Sequence, residues 1–225
     1  MGLKENKNKK LNYSDYLNLD NILNNQVLKS KVAGKESHDE MLFIIIHQVY
    51  ELWFKQILHE LDSVLKIFGK DDIHESKISL AVLRLDRVIE IQKILIDQIR
   101  VLETMTAMDF LEFRDYLFPS SGFQSVQFRL IENKLGLPAK RRLKYGKQDY
   151  KNVLSIDQKK LVKESEEGNS LFRLIERWLE RTPFLFFKGF DFWDQYSKSV
   201  LKMIGEEEIA IKNNPNHSAD DIDFH

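Results

Sequence analysis

The sequence predicts an all-α fold, a helical bundle with long antiparallel helices. Three observations carry this expectation. Only 9 glycines and 4 prolines punctuate 225 residues. No stretch shows the period-two alternation, bounded by Gly or Asn-Gly turns, that marks hairpins. Apolar residues recur instead at steps of three and four, one face of a 3.6-residue helix.

The N-terminal MGLKENKNKK is charged and has no apolar run behind it. No signal peptide is read there, and residues 1–10 are expected to form a disordered tail. Residues 11–26, LNYSDYLNLDNILNNQ, are an amphipathic stretch with two tyrosines. A long helix follows over 37–69. Leu42, Ile45, Ile46, Val49, Leu52, Trp53, Ile57, Leu61, Leu65 and Phe68 mark its apolar period. Ser37 and Glu40 have the spacing of a capping box, in which hydroxyl and carboxylate satisfy two orphan backbone donors. Gly69-Lys-Asp-Asp breaks the pattern. A second long helix reads over 76–102, with Ile78, Val82, Leu85, Ile89, Ile96 and Ile99 on one stripe. The short break makes the two antiparallel neighbours.

Thr106-Ala-Met-Asp109 opens a shorter helix that ends before Pro119. FPSSGFQS, 118–125, reads as a loop leading into a helix through 131–135. Residues 140–147 form a basic loop. Further helices are expected over 158–167, 170–181 and 192–211. The aromatic run FLFFKGFDFW, 184–193, reads as helix-packing core, with a flat cofactor or an oligomer interface as the alternative. Asn213-Asn-Pro-Asn-His-Ser is a breaker cluster before the acidic tail DDIDFH. The expected organisation is one domain over 11–211 and an irregular tail over 212–225.

Composition excludes several classes of function. A formal net charge of −1 attracts neither nucleic acid nor a membrane surface. The basic clusters at Lys7 to Lys10 and at Lys140, Arg141, Arg142 and Lys144 lack interleaved aromatics and read as solvated faces. Apolar blocks such as FIII, 43–46, fall far short of the ~20 residues of a membrane helix. No cysteine is present, which removes disulfides, thiolate metal sites and thiol nucleophiles and fits a reducing cytoplasm. No HExxH or ExxH spacing and no phosphate-binding glycine loop occurs. His59 lies about 120° around the helix from His47, so the two cannot chelate one metal.

The residues that can carry chemistry are few. His47 interrupts the apolar band of the first long helix, with Phe43 four residues earlier on the same face. It is either a core histidine satisfied by one hydrogen bond or a neutral imidazole lining an apolar pocket. Phe110 and Arg114 are spaced i, i+4 on the next short helix. Arg114 is either a fork for a substrate carboxylate or the partner of Asp115, Glu112 or Asp39. Ser120-Ser121-Gly122 offers hydroxyls and backbone donors close by in sequence. Glu40 reads as a cap, His38 as a surface residue and His74 as a loop residue.

Two blocks, HDEMLFIIIHQVYELWFKQ and FRDYLFPSSGFQS, closely resemble the tryptophan 2,3-dioxygenase family. LNYSDYLNLDNILNNQ, WLERTPFL and GFDFW resemble further segments of it, so the resemblance spans about residues 11–211. It implies an all-helical homotetramer in the cytoplasm that binds haem b and inserts both atoms of O2 across the C2–C3 bond of L-tryptophan. The product is N-formyl-kynurenine, the first step of tryptophan catabolism through the kynurenine route. By the same resemblance His47 meets the indole N–H, and Phe43 with Ile44, Ile45 and Ile46 belongs to the pocket wall. Phe110 packs on substrate, Arg114 grips its carboxylate, and Ser121 sits near haem and carboxylate. Tyr13, Tyr16 and Leu17 reach a neighbouring subunit's pocket. The family's proximal haem histidine, in a WRxxH-like segment, is expected beyond residue 225, and neither His217 nor His225 matches it. On its own the chain is therefore expected to hold haem weakly and turn over little substrate. Two alternatives remain: an inactive helical oligomer that binds an indole-like ligand, and a haem enzyme acting on another aromatic amino acid.

Overall fold

The structure is a computed structural model that describes residues 11–142, 151, 154–181, 186–187 and 190–212. The sequence expectations for residues 1–10, for 143–147 of the basic loop and for the tail from 213 onward lie outside the described residues. The chain divides into two compact units, residues 1–171 and 172–225.

The first unit opens with three short helices, α1 (Tyr13–Leu17), α2 (Leu19–Leu23) and α3 (Lys29–Val32). Asn12 caps α1 by accepting the Asp15 N–H at 2.8 Å. Two long helices follow, α4 (Asp39–Phe68) and α5 (Glu75–Leu102). Tyr50 donates to the Leu95 carbonyl at 2.5 Å, and Arg87 donates to Glu60 at 2.6 Å. Rising positions on α4 thus meet falling positions on α5, and the pair is antiparallel as its short connection requires. Burial of the Tyr50 ring raises its phenol above the ordinary range.

The core between the two is made of Ile57, Leu61 and Val64 from α4 and Ala81, Val88, Ile91 and Leu95 from α5, all buried. Each large aliphatic side chain sealed there contributes roughly 1.5–3 kcal/mol. The buried stripe of α5 is not the expected one. Val82, Ile89, Ile96 and Ile99 are exposed, and Ile78 and Leu85 are only half-buried. An apolar period shows that a helix is amphipathic, but two apolar stripes compete on α5. The neighbour takes the one with the small Ala81, which lets the backbones approach.

The start of α4 also differs from expectation. Its N-cap is His38, in helical conformation and with no side-chain cap bond. Ser37 and Glu40 do not form a capping box. Glu40 is fully buried and accepts the N–H groups of Lys29, at 2.7 Å, and Ser30, at 2.9 Å, so it caps α3 instead. The Ser30 hydroxyl also donates to Glu40 and itself accepts the Ser37 N–H at 3.0 Å.

Next come α6 (Ala107–Leu117), a 3-10 turn over Gly122–Gln124, α7 (Val126–Leu135) and α8 (Ile156–Glu167). The expected stop before Pro119 is observed. α7 runs in the same sense as α4: Gln127 donates to Glu51 at 2.7 Å near its start, and Lys134 pairs with Asp62 near its end. Asn133 of α7 donates to the Val162 carbonyl of α8 at 3.4 Å. α8 opens on a capping box of Ser155 and Gln158.

A capping box also opens α6. The Asp109 N–H donates to Thr106 Oγ1 at 3.2 Å, and the Thr106 N–H donates to the Asp109 carboxylate at 2.9 Å. Hydrogen bonds from the Thr106 hydroxyl and backbone hold the Asp109 carboxyl below its ordinary value. Its contribution is therefore present above the ordinary carboxylate range and is lost as pH falls through the depressed folded value. Thr106→Ala should cost about 1 kcal/mol in urea unfolding at neutral pH. An unchanged midpoint would show that α6 holds without its cap.

The second unit contains nearly all of α9 (Leu171–Glu180), a two-stranded antiparallel ladder of β1 (Phe186–Phe187) and β2 (Phe190–Asp191), and α10 (Phe192–Lys212). The ladder lies within the aromatic run that the sequence assigned to packing. At the start of α10, Phe192 stacks on Tyr196 with centroids 5.9 Å apart, and Trp193 meets both edge-on. No described helix is long and apolar enough to cross a membrane.

Candidate substrate pocket

Helix α4 places Phe43 and His47 one turn apart on one face. Their rings are 4.2 Å apart at 37°. The His47 Nδ1 lies 2.7 Å from the Phe43 carbonyl oxygen. A carbonyl can only accept, so Nδ1 carries the hydrogen. In the neutral ring the lone pair is then on Nε2, and the imidazole presents an acceptor there. The helix backbone itself fixes this tautomer, four residues back.

Helix α6 completes the aromatic face. Phe110 lies 5.7 Å and Phe113 5.5 Å from Phe43, and the two are 5.4 Å apart, edge to face. Phe113 is fully buried, whereas Phe43, His47 and Phe110 are half-buried. The group therefore has a sealed back and an accessible front, lined by rings with one imidazole among them. Offset and edge contacts of this kind add about 0.5–1.5 kcal/mol per pair beyond area burial.

Phe113 was not singled out in the sequence, although its three-residue step from Phe110 was visible. Arg114, one turn after Phe110, is exposed. Among the described residues it makes none of the ion pairs open to it. Glu112 instead accepts the Ser37 hydroxyl at 3.1 Å. Ser121 is exposed at the head of the 3-10 turn, where its Oγ accepts the Phe123 N–H at 3.3 Å.

The three isoleucines of the wall diverge. Ile46 is buried, Ile44 is half-buried, and Ile45 is exposed. Ile45 lines a separate open groove of about 520 Å³ with Leu28, Met41, Leu42 and His38. Successive helical residues turn by 100°, so a run of three cannot share one face. Tyr13, Tyr16 and Leu17 on α1 are exposed, the tyrosines at 74% and 72%. The stretch that follows α2 is tied to α4, where Gln26 donates to Gln48 at 2.8 Å and Gln48 donates to the Asn25 carbonyl at 3.2 Å. His74 is the N-cap of α5, a role its position in a loop did not reveal. No group of three His, Asp or Glu among the described residues is placed to hold a metal ion.

A family model described as tryptophan 2,3-dioxygenase matches residues 2–224. The tryptophan 2,3-dioxygenase of Bdellovibrio bacteriovorus is 51% identical over 205 residues, which cover 91% of this chain and 57% of that protein. The Dictyostelium discoideum protein of the same name is 48% identical over 208 residues, 92% of this chain and 52% of that one. The Rattus norvegicus protein, again of that name, is 50% identical over 201 residues, 89% and 50% respectively. The chain spans about half the length of the curated relatives it matches.

Proposed function

Because this chain belongs to the tryptophan 2,3-dioxygenase family, we propose that it supplies the substrate-binding side of a haem-dependent site for oxidative opening of L-tryptophan. In that reaction both atoms of O2 enter across the indole C2–C3 bond and N-formyl-kynurenine is formed. The observation that carries the reading is the contact of His47 Nδ1 with the Phe43 carbonyl oxygen, which leaves Nε2 as the acceptor of a neutral ring. An acceptor Nε2 set among Phe43, Phe110 and Phe113 is complementary to an indole, which is a flat aromatic body with one N–H donor.

The roles follow from the chemistry of each side chain. The indole stacks against Phe43 and Phe110, while Phe113 backs them. His47 Nε2 accepts the indole N–H and fixes the orientation of the ring. Arg114, charged and without an ion-pair partner among the described residues, takes the carboxylate, and Ser121 adds a hydroxyl beside it. Ile44 and Ile46 stiffen the wall from behind. Tyr13, Tyr16 and Leu17 reach the pocket of a neighbouring copy, in a cytoplasmic homotetramer.

Haem b fits one side of this arrangement, since an apolar aromatic face with a single imidazole suits the substrate-facing side of a macrocycle. Haem, when bound, supplies the activation of dioxygen. No residue of this chain is assigned as its axial ligand.

Binding of L-tryptophan and of 1-methyl-L-tryptophan, measured by calorimetry, tests the reading. His47→Leu should weaken L-tryptophan by about 1 kcal/mol, roughly fivefold, the scale of one neutral hydrogen bond. The methylated ligand has no N–H to offer, so its affinity should not change. Equal losses for both ligands would remove the acceptor role.

A further inference from the structure

We infer that the pocket where α4 ends and α5 begins is a binding site for a phosphate group, free or carried on a small molecule. This pocket shares no residue with the aromatic face, and the inference holds whatever reaction that face serves.

The pocket has a volume of about 380 Å³. Its floor is apolar: Ile67 is buried, and Ile73 and Leu80 are half-buried. Lys66, Lys70, Lys77 and Arg84 line it against a single acid, Asp72. Four cations against one carboxylate leave a net charge of +3 in one cavity, in a chain whose formal charge is −1 overall. An apolar floor keeps water off one side and so strengthens the attraction for an anion. Ser63 and His74 add neutral donors to the lining. His74 Nδ1 accepts the Ser76 N–H at 3.3 Å, so the neutral ring carries its hydrogen on Nε2.

Local helix electrostatics do not account for the whole cluster. Lys66 stands in the last turn of α4, where the helix dipole favours a cation. Lys77 is the third residue of α5, where the dipole favours an anion, and it makes no ion pair among the described residues. Arg84, two turns on along the same face, is half-buried. Its ion pair with Glu60 spans 3.9 Å at Nε, beyond hydrogen-bond reach, and that carboxylate is engaged by Arg87 at 2.6 Å. Cations gathered in this way repel one another, and an anion held among them turns the repulsion into attraction. Three of the four are ammonium groups, point charges without the planar fork that matches a carboxylate. The set therefore suits a tetrahedral phosphate better than a carboxylate.

Calorimetric titration of the 225-residue chain at neutral pH and physiological salt tests the inference, with inorganic phosphate, glucose 6-phosphate and citrate as the probes. The expected result is a single saturable phosphate site per chain, with citrate binding more weakly. Equal affinity for the free ion and the ester assigns the site to the ion, a tighter ester assigns it to a phosphorylated small molecule, and both support the site. Lys66→Gln and Lys77→Gln should each weaken phosphate by roughly threefold, and together by roughly tenfold, the scale of partly exposed ion pairs. Both side chains are exposed, so the far-ultraviolet circular dichroism should not change. Lys93→Gln, further along α5 and outside the pocket, should bind phosphate as the parent does. If the double variant fails to fold, the single ones decide. No saturable phosphate binding by the parent, tighter binding of citrate than of phosphate, undiminished binding by the folded variants, or an equal loss in Lys93→Gln would each overturn the site.

Discussion

Glu40→Ala is expected to cost about 3–5 kcal/mol of folding stability. The carboxylate has no access to solvent and accepts two backbone N–H groups and one hydroxyl. Removing it leaves the first amides of α3 without that acceptor, and the buried one at Ser30 becomes an orphan that costs roughly 1–3 kcal/mol. The damage spreads along a chain of bonds. Ser30 Oγ loses its acceptor while still receiving the Ser37 N–H, and Ser37 in turn holds Glu112 of α6. Glu40→Gln keeps the shape and one carbonyl oxygen, so it should cost less than half as much. Guanidinium unfolding of the two variants beside the parent makes the comparison. A loss below about 1 kcal/mol for the alanine variant would mean that water reaches α3 when the carboxylate goes.

Arg114→Ala is expected to weaken L-tryptophan binding by about 2–5 kcal/mol, the loss typical of one partner in a desolvated charged pair. The guanidinium is exposed and makes no ion pair among the described residues, while the acid nearest in sequence on its N-terminal side, Glu112, is engaged with Ser37. The charge is therefore available. Arg114→Lys should recover little, because an ammonium cannot reproduce a two-point contact with a planar carboxylate. Tryptamine, which lacks the carboxylate, supplies the control: its affinity should be the same for parent and variant. Calorimetric titration measures all of these, and an unchanged affinity of Arg114→Ala for L-tryptophan would end the proposed role.

How much of this was legible in the sequence depends on the range of the interaction. The long helices and the break at Gly69 were legible, because an apolar period and a breaker act within one or two turns. So was the shared face of Phe43 and His47, which needs only the pitch of a helix. The Ser37 and Glu40 capping box failed for the opposite reason. The local pattern was intact, but Glu40 found better donors ten and eleven residues back on α3, and a local pattern cannot register a competitor that distant. The α5 stripe failed similarly. Periodicity located an apolar face, and packing against α4 selected the other one. The direction of the His47 lone pair was not legible at all, since it depends on a ring rotamer relative to the Phe43 carbonyl. Nor was the bond from the Ser37 hydroxyl to Glu112, 75 residues away, nor the absence of an ion pair at Arg114 among the described residues.

Helix α4 has thirty residues and no glycine or proline inside it. At 1.5 Å per residue it is a rod about 45 Å long, and such a rod has no hinge. Its far half is gripped on two sides, by Arg87 through Glu60 and by Lys134 through Asp62, while His47 stands about 20 Å back along the shaft. The shaft that carries the imidazole is thus tied to α5 and α7 by ion pairs that lie well away from the aromatic face.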